Sequence, residues 1–326
     1  MFEVVFLGTS ASAPSVHRSL PAQAILAGEH RFLIDCGEGT QRQILKSGIG
    51  FKRLHQILLT HGHLDHILGL AGFVSSLTRW EDIDTLDLFG GKATLDRVQL
   101  LIFGVVFPNQ QPPVPINLYD LKPGPFIETR EFAVSAFPVQ HRGAGNFGYV
   151  FQQADHRPFL VERALELGVP AGPERALLVR GQPVTLADGR EITPDMVLGE
   201  TVPGSKLVHI GDIGRLDDSI REQVQGAHAL VIEATFMDVE AESARQFGHI
   251  TAKQAAELAR DTGVGTLILT HISRRYRERD VLAEARAIFE QTYVARDFDH
   301  FIIHRDRPVE KVNNRPRNPN QTDDET

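Results

Sequence analysis

The 326-residue sequence has a single cysteine, Cys36, which excludes an intramolecular disulfide and a cysteine-rich structural metal site. Its opening, MFEVVFLGTSASAP, lacks the basic flank and long apolar stretch of a secretory signal. Together these absences predict a protein of the reducing cytoplasm. Long hydrophobic runs are also missing. The most apolar stretch, Leu100 to Phe107, is far short of the roughly 20 residues that cross a bilayer, so no membrane partner is expected. Positive charge is not in excess either: 34 Lys and Arg stand against 42 Asp and Glu, a formal net charge of −8. That excludes indiscriminate coating of nucleic acid by a basic surface, but leaves room for a local basic patch. With 42% hydrophobic and 23% charged residues, the composition is that of an ordinary globular chain with material for a core.

Patterning predicts a mixed α/β organisation. Short β-prone runs at Phe2 to Leu7, Ala24 to Leu26, Phe32 to Ile34 and Gln56 to Thr60 open the chain, with a helix over Glu38 to Lys46 and another over Leu64 to Leu77. Strands are expected at Leu86 to Phe89, Ile116 to Tyr119, Phe132 to Phe137 and Phe147 to Phe151, and a helix over Lys92 to Val105. From about Ala154 to Pro203 the periodicity weakens and turn residues multiply, which reads as an excursion from the core rather than a separate domain. Strands then recur at Leu207 to Ile210, Ala229 to Glu233 and Thr266 to Thr270, each followed by a helical pattern. The segment 308–326, rich in Asn, Pro, Asp and Arg, is expected to be a disordered tail behind a domain spanning 1–307.

The 14 histidines are the oddity of the composition, and their positions say more than their number. Thr60-His61-Gly62-His63-Leu64-Asp65-His66 puts three imidazoles and a carboxylate at a strand-to-helix junction. Donors of this kind suit zinc, with manganese or iron(II) as alternatives. Side chains two apart on an extended loop point the same way, so His61 and His63 can share one ion while Asp65 and His66 face a second. Further ligand types follow apolar strands elsewhere: His141 after Ala136 to Gln140, Asp212 after Leu207 to Gly211, and His271 after Leu267 to Thr270.

The HGHLDH cluster, with a His, an Asp and a His at distant strand ends, resembles the metallo-β-lactamase fold of dinuclear zinc hydrolases. Phe6-Leu7-Gly8-Thr9, Asp35-Cys36-Gly37-Glu38-Gly39-Thr40-Gln41, Glu233-Ala234-Thr235 and Thr270-His271-Ile272-Ser273-Arg274-Arg275-Tyr276 resemble ribonuclease Z in particular, the endonuclease that trims the 3′ end of precursor tRNA. The resemblance implies a four-layer αβ/βα sandwich of two mixed sheets with helices outside, and a protruding flexible arm at 154–203. It implies two Zn2+ per subunit, one held by His61, His63, His141 and a bridging Asp212, the other by Asp65, His66, Asp212 and His271. It implies hydroxide attack on a phosphodiester, leaving a tRNA 3′-hydroxyl, with Asp65 as proton acceptor and His249, oriented by Glu233, as proton donor to the leaving oxygen. For RNA, Arg274, Arg275 and Tyr276 closely follow His271 and so are expected near the metals, while the resemblance adds Arg18, which matches an arginine of a family loop, and Gly168, Pro170, Gly172 and Pro173 as the glycine-proline motif of the arm. A homodimer is a further expectation from the resemblance. The competing expectation is a hydrolase of the same fold acting on a small phosphodiester, sulfate ester or thioester.

Overall fold

Along Phe2–Gly8 the side chains alternate between two apolar environments: Phe2, Val4 and Phe6 face one, Val5 and Leu7 the other. A strand buried on both faces needs a layer on each side, and the chain supplies them. The computed structural model describes residues 1–80 and 83–312. It divides into two compact units, 1–152 with 205 onward, and 153–204.

In the larger unit, one sheet runs in the order Glu310–Val312, His300–Ile303, Phe2–Gly8, Ala22–Ala27, His30–Ile34, Gln56–Leu58, Leu86–Gly90, Ile116–Asp120. The second runs Thr292–Val294, Thr266–Thr270, Ala229–Glu233, Lys206–His209, Phe147–Gln153, Phe132–Pro138, Gly124–Glu128. Their inner faces share one core in which Phe2 lies edge-on to Phe132 and Phe151, and Phe32 does the same. Outside the first sheet, Ile44, Phe73 and Val98 of three helices cover Val5, Leu33 and Leu88. Outside the second, Ile220, Ala255 and Val281 cover Val208, Leu230 and Leu267. The result is the four-layer αβ/βα sandwich, with parallel and antiparallel pairings in both sheets.

Several elements differ from expectation. The helix expected over Leu64 to Leu77 is two, Leu64–Ile67 and Leu70–Trp80. The break has a cause: Gly69 donates its N–H to Cys36 O (2.8 Å), Cys36 donates to His66 O (2.7 Å), and a Cβ on Gly69 would stand 1.9 Å from Gly37 O. Gly124–Glu128 and Thr292–Val294 are edge strands that patterning does not mark: the first carries Gly and Pro, and the second is three residues long beside a turn. The expected disordered tail is corrected at its start: Glu310–Val312 pairs antiparallel with His300–Ile302. Residues 313–326 lie outside the described residues.

The smaller unit is more regular than its sequence suggests. Helices Val161–Glu166, Pro173–Val179 and Pro194–Val197 and the ribbon Val184–Thr185 with Glu191–Ile192 enclose a core of Ala164, Val169, Leu178, Val184, Ile192 and Val197. Bridges between His156 and Val202 and between Phe159 and Leu198 draw its two ends together.

Because the Cys36–Gly37 loop and Gly69 are in backbone contact, Gly69→Ala is expected to destabilise the protein by about 1–3 kcal/mol, the usual range for overpacking. Urea unfolding measures this, and an unchanged midpoint would contradict the account of the helix break.

Candidate metal centre

The donors sit where strands end. Gln56–Leu58 leads into His61, His63, Asp65 and His66, Phe132–Pro138 into His141, Lys206–His209 into Asp212, and Thr266–Thr270 into His271. The strand order brings these ends together across both sheets. Two turns depend on left-handed backbone at residues other than glycine, Asp35 (φ 56°) and His271 (φ 55°), each directly after its strand. Such conformations cost about 1–3 kcal/mol and persist where the surroundings fix them.

Seven side chains converge as two adjoining groups, His61, His63, His141 and Asp212, and Asp65, His66 and His271, with Asp212 within reach of the second. Asp212 Oδ2 lies 3.6 Å from His61 Nε2 and 3.7 Å from His141 Nε2, while its Oδ1 lies 3.4 Å from His66 Nε2 and 3.3 Å from His271 Nε2. Asp65 Oδ2 is 3.7 Å from His66 Nε2 and 3.6 Å from His271 Nε2, and His63 Nδ1 is 3.3 Å from His141 Nε2. Donors held about 2.0–2.1 Å from a tetrahedral ion stand about 3.3–3.4 Å from one another, so these spacings fit a small divalent cation.

Polar satisfaction supplies the stronger test. His61 Nε2, His66 Nε2, His271 Nε2 and Asp212 Oδ1 are buried without a hydrogen-bond partner, whereas buried polar atoms are nearly always paired. The opposite edges of the same rings are committed. Asp35 accepts from His66 Nδ1 (2.7 Å), from Thr60 N (2.8 Å) and from Thr60 Oγ1 (2.7 Å). Thr60 Oγ1, its proton given to Asp35, accepts from His61 Nδ1 at 3.0 Å. The arrangement repeats across the centre: Thr235 donates its hydroxyl to Glu233 and accepts from His271 Nδ1 at 2.8 Å. His141 Nδ1 donates to Gly248 O at 2.7 Å. With Nδ1 protonated in His61, His66, His141 and His271, each Nε2 lone pair is left facing the shared space, as metal-ligating imidazoles require.

Burial pushes His61, His63 and His141 below the ordinary imidazole pKa, which keeps them neutral and able to ligate. Burial opposes ionisation of Asp65, yet His271 and His66 hold its carboxyl well below the usual carboxylate range. His249 stands beside the cluster, its Nδ1 3.0 Å from Glu233 Oε1 and 3.9 Å from Asp212 Oδ2. Burial alone would lower its pKa, but the charge and hydrogen bond of Glu233 raise it to about 9. Glu233, fully buried, is held in turn by Ile213 N at 2.7 Å.

A cavity of about 480 Å³ opens over the cluster, and His63, Asp65, Asp212, His249, Arg274 and Arg275 line it. The other residues expected to meet RNA are placed differently. Arg18 turns inward and spends its guanidinium on Thr9 Oγ1 (2.7 Å), Ala295 O (2.6 Å) and Glu278 (2.9 Å), so it is a framework residue here. Tyr276 packs against the core outside the second sheet and bonds Glu240 through its hydroxyl. Gly168, Pro170, Gly172 and Pro173 belong to the smaller unit. Sequence reasoning gave no role to Asp35, Thr60 or Thr235, which fix the rings. Their signal is adjacency: Thr60 precedes the histidine cluster, Asp35 opens the run Asp35-Cys36-Gly37-Glu38-Gly39-Thr40-Gln41, and Thr235 closes Glu233-Ala234-Thr235.

This sandwich, with a His/Asp cluster at its strand ends, defines a hydrolase of the metallo-β-lactamase superfamily. Residues 22–77 match the metallo-beta-lactamase superfamily and residues 166–272 the beta-lactamase superfamily domain. The chain is 46% identical over 303 residues to ribonuclease Z of Bradyrhizobium diazoefficiens, covering 93% of this chain and 100% of that one. With ribonuclease Z of Archaeoglobus fulgidus it shares 40% identity over 302 residues, 91% of this chain and 96% of that one. Among solved structures, the short form of human tRNase Z superposes with a TM-score of 0.67 at 22% identity, over 93% of this chain and 99% of that one. The chain belongs to the ribonuclease Z family, and it is an enzyme.

Asp35 is not among the seven converging donors, yet it fixes the orientation of two rings, His66 directly and His61 through Thr60. Asp35→Ala is therefore expected to weaken divalent-metal affinity about 10- to 100-fold with every ligand retained. Competition against a chromogenic chelator measures it, and unchanged affinity would contradict the hydrogen-bond scheme.

Proposed function

We propose that this enzyme is a zinc-dependent endoribonuclease that removes the 3′ trailer of precursor tRNA by hydroxide attack on a phosphodiester, leaving a tRNA 3′-hydroxyl. The observation that carries the reading is the set of buried, unpaired donor atoms of His61, His66, His271 and Asp212 beside the hydrogen-bonded His249–Glu233 pair. His61, His63, His141 and Asp212 would hold one Zn2+, and Asp65, His66, Asp212 and His271 the other. Two such ions acidify water and neutralise charge on phosphate oxygens during in-line displacement.

The chain's own residues supply the rest. The Asp65 carboxylate, fixed by Ser12 N at 3.0 Å and exposed to the cavity, accepts the proton of the attacking water. His249 remains protonated at neutral pH because Glu233 grips its Nδ1, and it donates a proton to the departing 3′ oxygen. Arg274 and Arg275 face the cavity, where guanidinium forks fit phosphate. The compact unit at 153–204, with its glycine-proline stretch Gly168 to Pro173, supports the reading of a flexible arm that grips the body of tRNA. Family membership favours a homodimer, and the single buried Cys36 favours a reducing cytoplasm.

Purified protein with zinc is expected to cut a precursor tRNA once, near the discriminator base. Activity on a small chromogenic phosphodiester alone would contradict the substrate assignment and favour the small-ester reading. His249→Ala is expected to keep its metal and to slow cleavage by about a hundredfold or more, measured under single turnover. Normal turnover in that variant would remove His249 from the mechanism. Deleting 155–202 is expected to abolish tRNA cleavage and spare the small ester; retained tRNA cleavage would contradict the arm.

A further inference from the structure

The helix Ala241–Phe247 ends on an aromatic residue, and Gly248 in left-handed backbone (φ 74°) stops it before His249. That stop is tightly placed. Gly248 O receives His141 Nδ1, and a Cβ on Gly248 would meet that nitrogen at 3.4 Å. Phe247 is therefore locked one residue from the ring hydrogen bond and two from the proton donor. It is also 44% exposed, on the wall of the cavity above the metal centre.

Behind it the wall is layered. The ring of Phe236, only 3% exposed, is parallel to that of Phe247 within 2° at a centroid distance of 6.3 Å, and 6.0 Å from the His249 ring. Each phenyl ring carries a guanidinium: Arg275 lies 5.1 Å from the centroid of Phe236, and Arg142 lies 5.4 Å from that of Phe247. Glu240 holds Arg275 at 2.9 Å, and Arg142 donates to Gln246 O at 3.2 Å.

Among the described residues Phe247 is the one phenylalanine that is exposed, the others being buried or half-buried, so its place on the cavity wall is out of pattern. A solvent-facing phenyl ring with a guanidinium over it matches a ligand that has both a flat π face and a negative backbone, which is a nucleotide. We propose that Phe247, backed by Phe236 and flanked by Arg142 and Arg275, is a stacking surface for the nucleobase on the 5′ side of the scissile phosphate. The side follows from His249. It protonates the leaving 3′ oxygen, so the groups beyond it face the nucleotide that carries that oxygen. This inference rests on the endoribonuclease reading and adds to it a specificity-determining contact that reads presence and size of the base.

The test pairs two precursor tRNAs, one intact and one with an abasic site at the nucleotide 5′ of the cut. The native enzyme is expected to show a KM about tenfold higher on the abasic substrate, in keeping with the usual strength of base–aromatic stacking. Phe247→Leu is expected to treat the two substrates alike within about twofold, and Phe247→Tyr to restore the discrimination. Discrimination in Phe247→Leu as strong as in the native enzyme, or none in the native enzyme, overturns the proposal. A second readout does not depend on cleavage of tRNA. A short single-stranded RNA with 2-aminopurine should be quenched on binding to the native protein and not to Phe247→Leu; equal quenching overturns the stacking surface. A native enzyme that cuts neither precursor yet quenches the probe in a Phe247-dependent way would overturn the tRNA reading instead.

Discussion

The structure depends on one electrostatic constraint: seven electron-donating side chains aim their lone pairs at a single small region. Burying so many donors without a compensating positive charge is costly, because each loses its water and gains no partner. The chain prevents relaxation by committing the far edge of the rings. Asp35 with Thr60 and Glu233 with Thr235 form matched carboxylate–hydroxyl pairs on opposite sides of the centre. In each pair the carboxylate accepts the hydroxyl's one hydrogen bond, so the hydroxyl can only accept from the ring.

These pairs are themselves products of the sheet topology. Asp35 directly follows a strand of the first sheet and Glu233 ends one of the second, so the two halves of the sandwich each fix part of the centre. Glu233 has a second partner. By holding His249 as well as Thr235, one buried carboxylate links the orientation of a candidate ligand, His271, to the charge on a candidate acid. Phe247 and Gly248 extend the same chain of contacts to the cavity wall, because one short segment carries the Phe247 ring, the carbonyl that fixes His141, and the His249 imidazole held by Glu233.

Much of this was legible in the sequence, for physical reasons. HGHLDH is dense enough in donors to mark a site by itself, and His141, Asp212 and His271 each follow an apolar run, so a sheet that collects strand ends collects them too. The layers were legible because both faces of the central strands are apolar. Less legible were features set by backbone geometry rather than residue type. The positive φ at Asp35 and His271 leaves no compositional trace, and the break at Leu68 and Gly69 arises from a loop distant in sequence. Arg18 shows the reverse case. Its position in the sequence suggested RNA, but Glu278 and Thr9, far from it along the chain, claim its guanidinium.

Whether these donors hold metal decides what the centre can do. The most direct measurement is the equilibrium metal content of purified protein by mass spectrometry, for the native chain and for Asp212→Ala, alongside single-turnover cleavage before and after exhaustive chelation. The account predicts two divalent ions per native chain, loss of metal from Asp212→Ala, and cleavage that vanishes on chelation and returns with zinc. A native chain that binds no metal, or that cuts RNA at full rate once stripped, would contradict it.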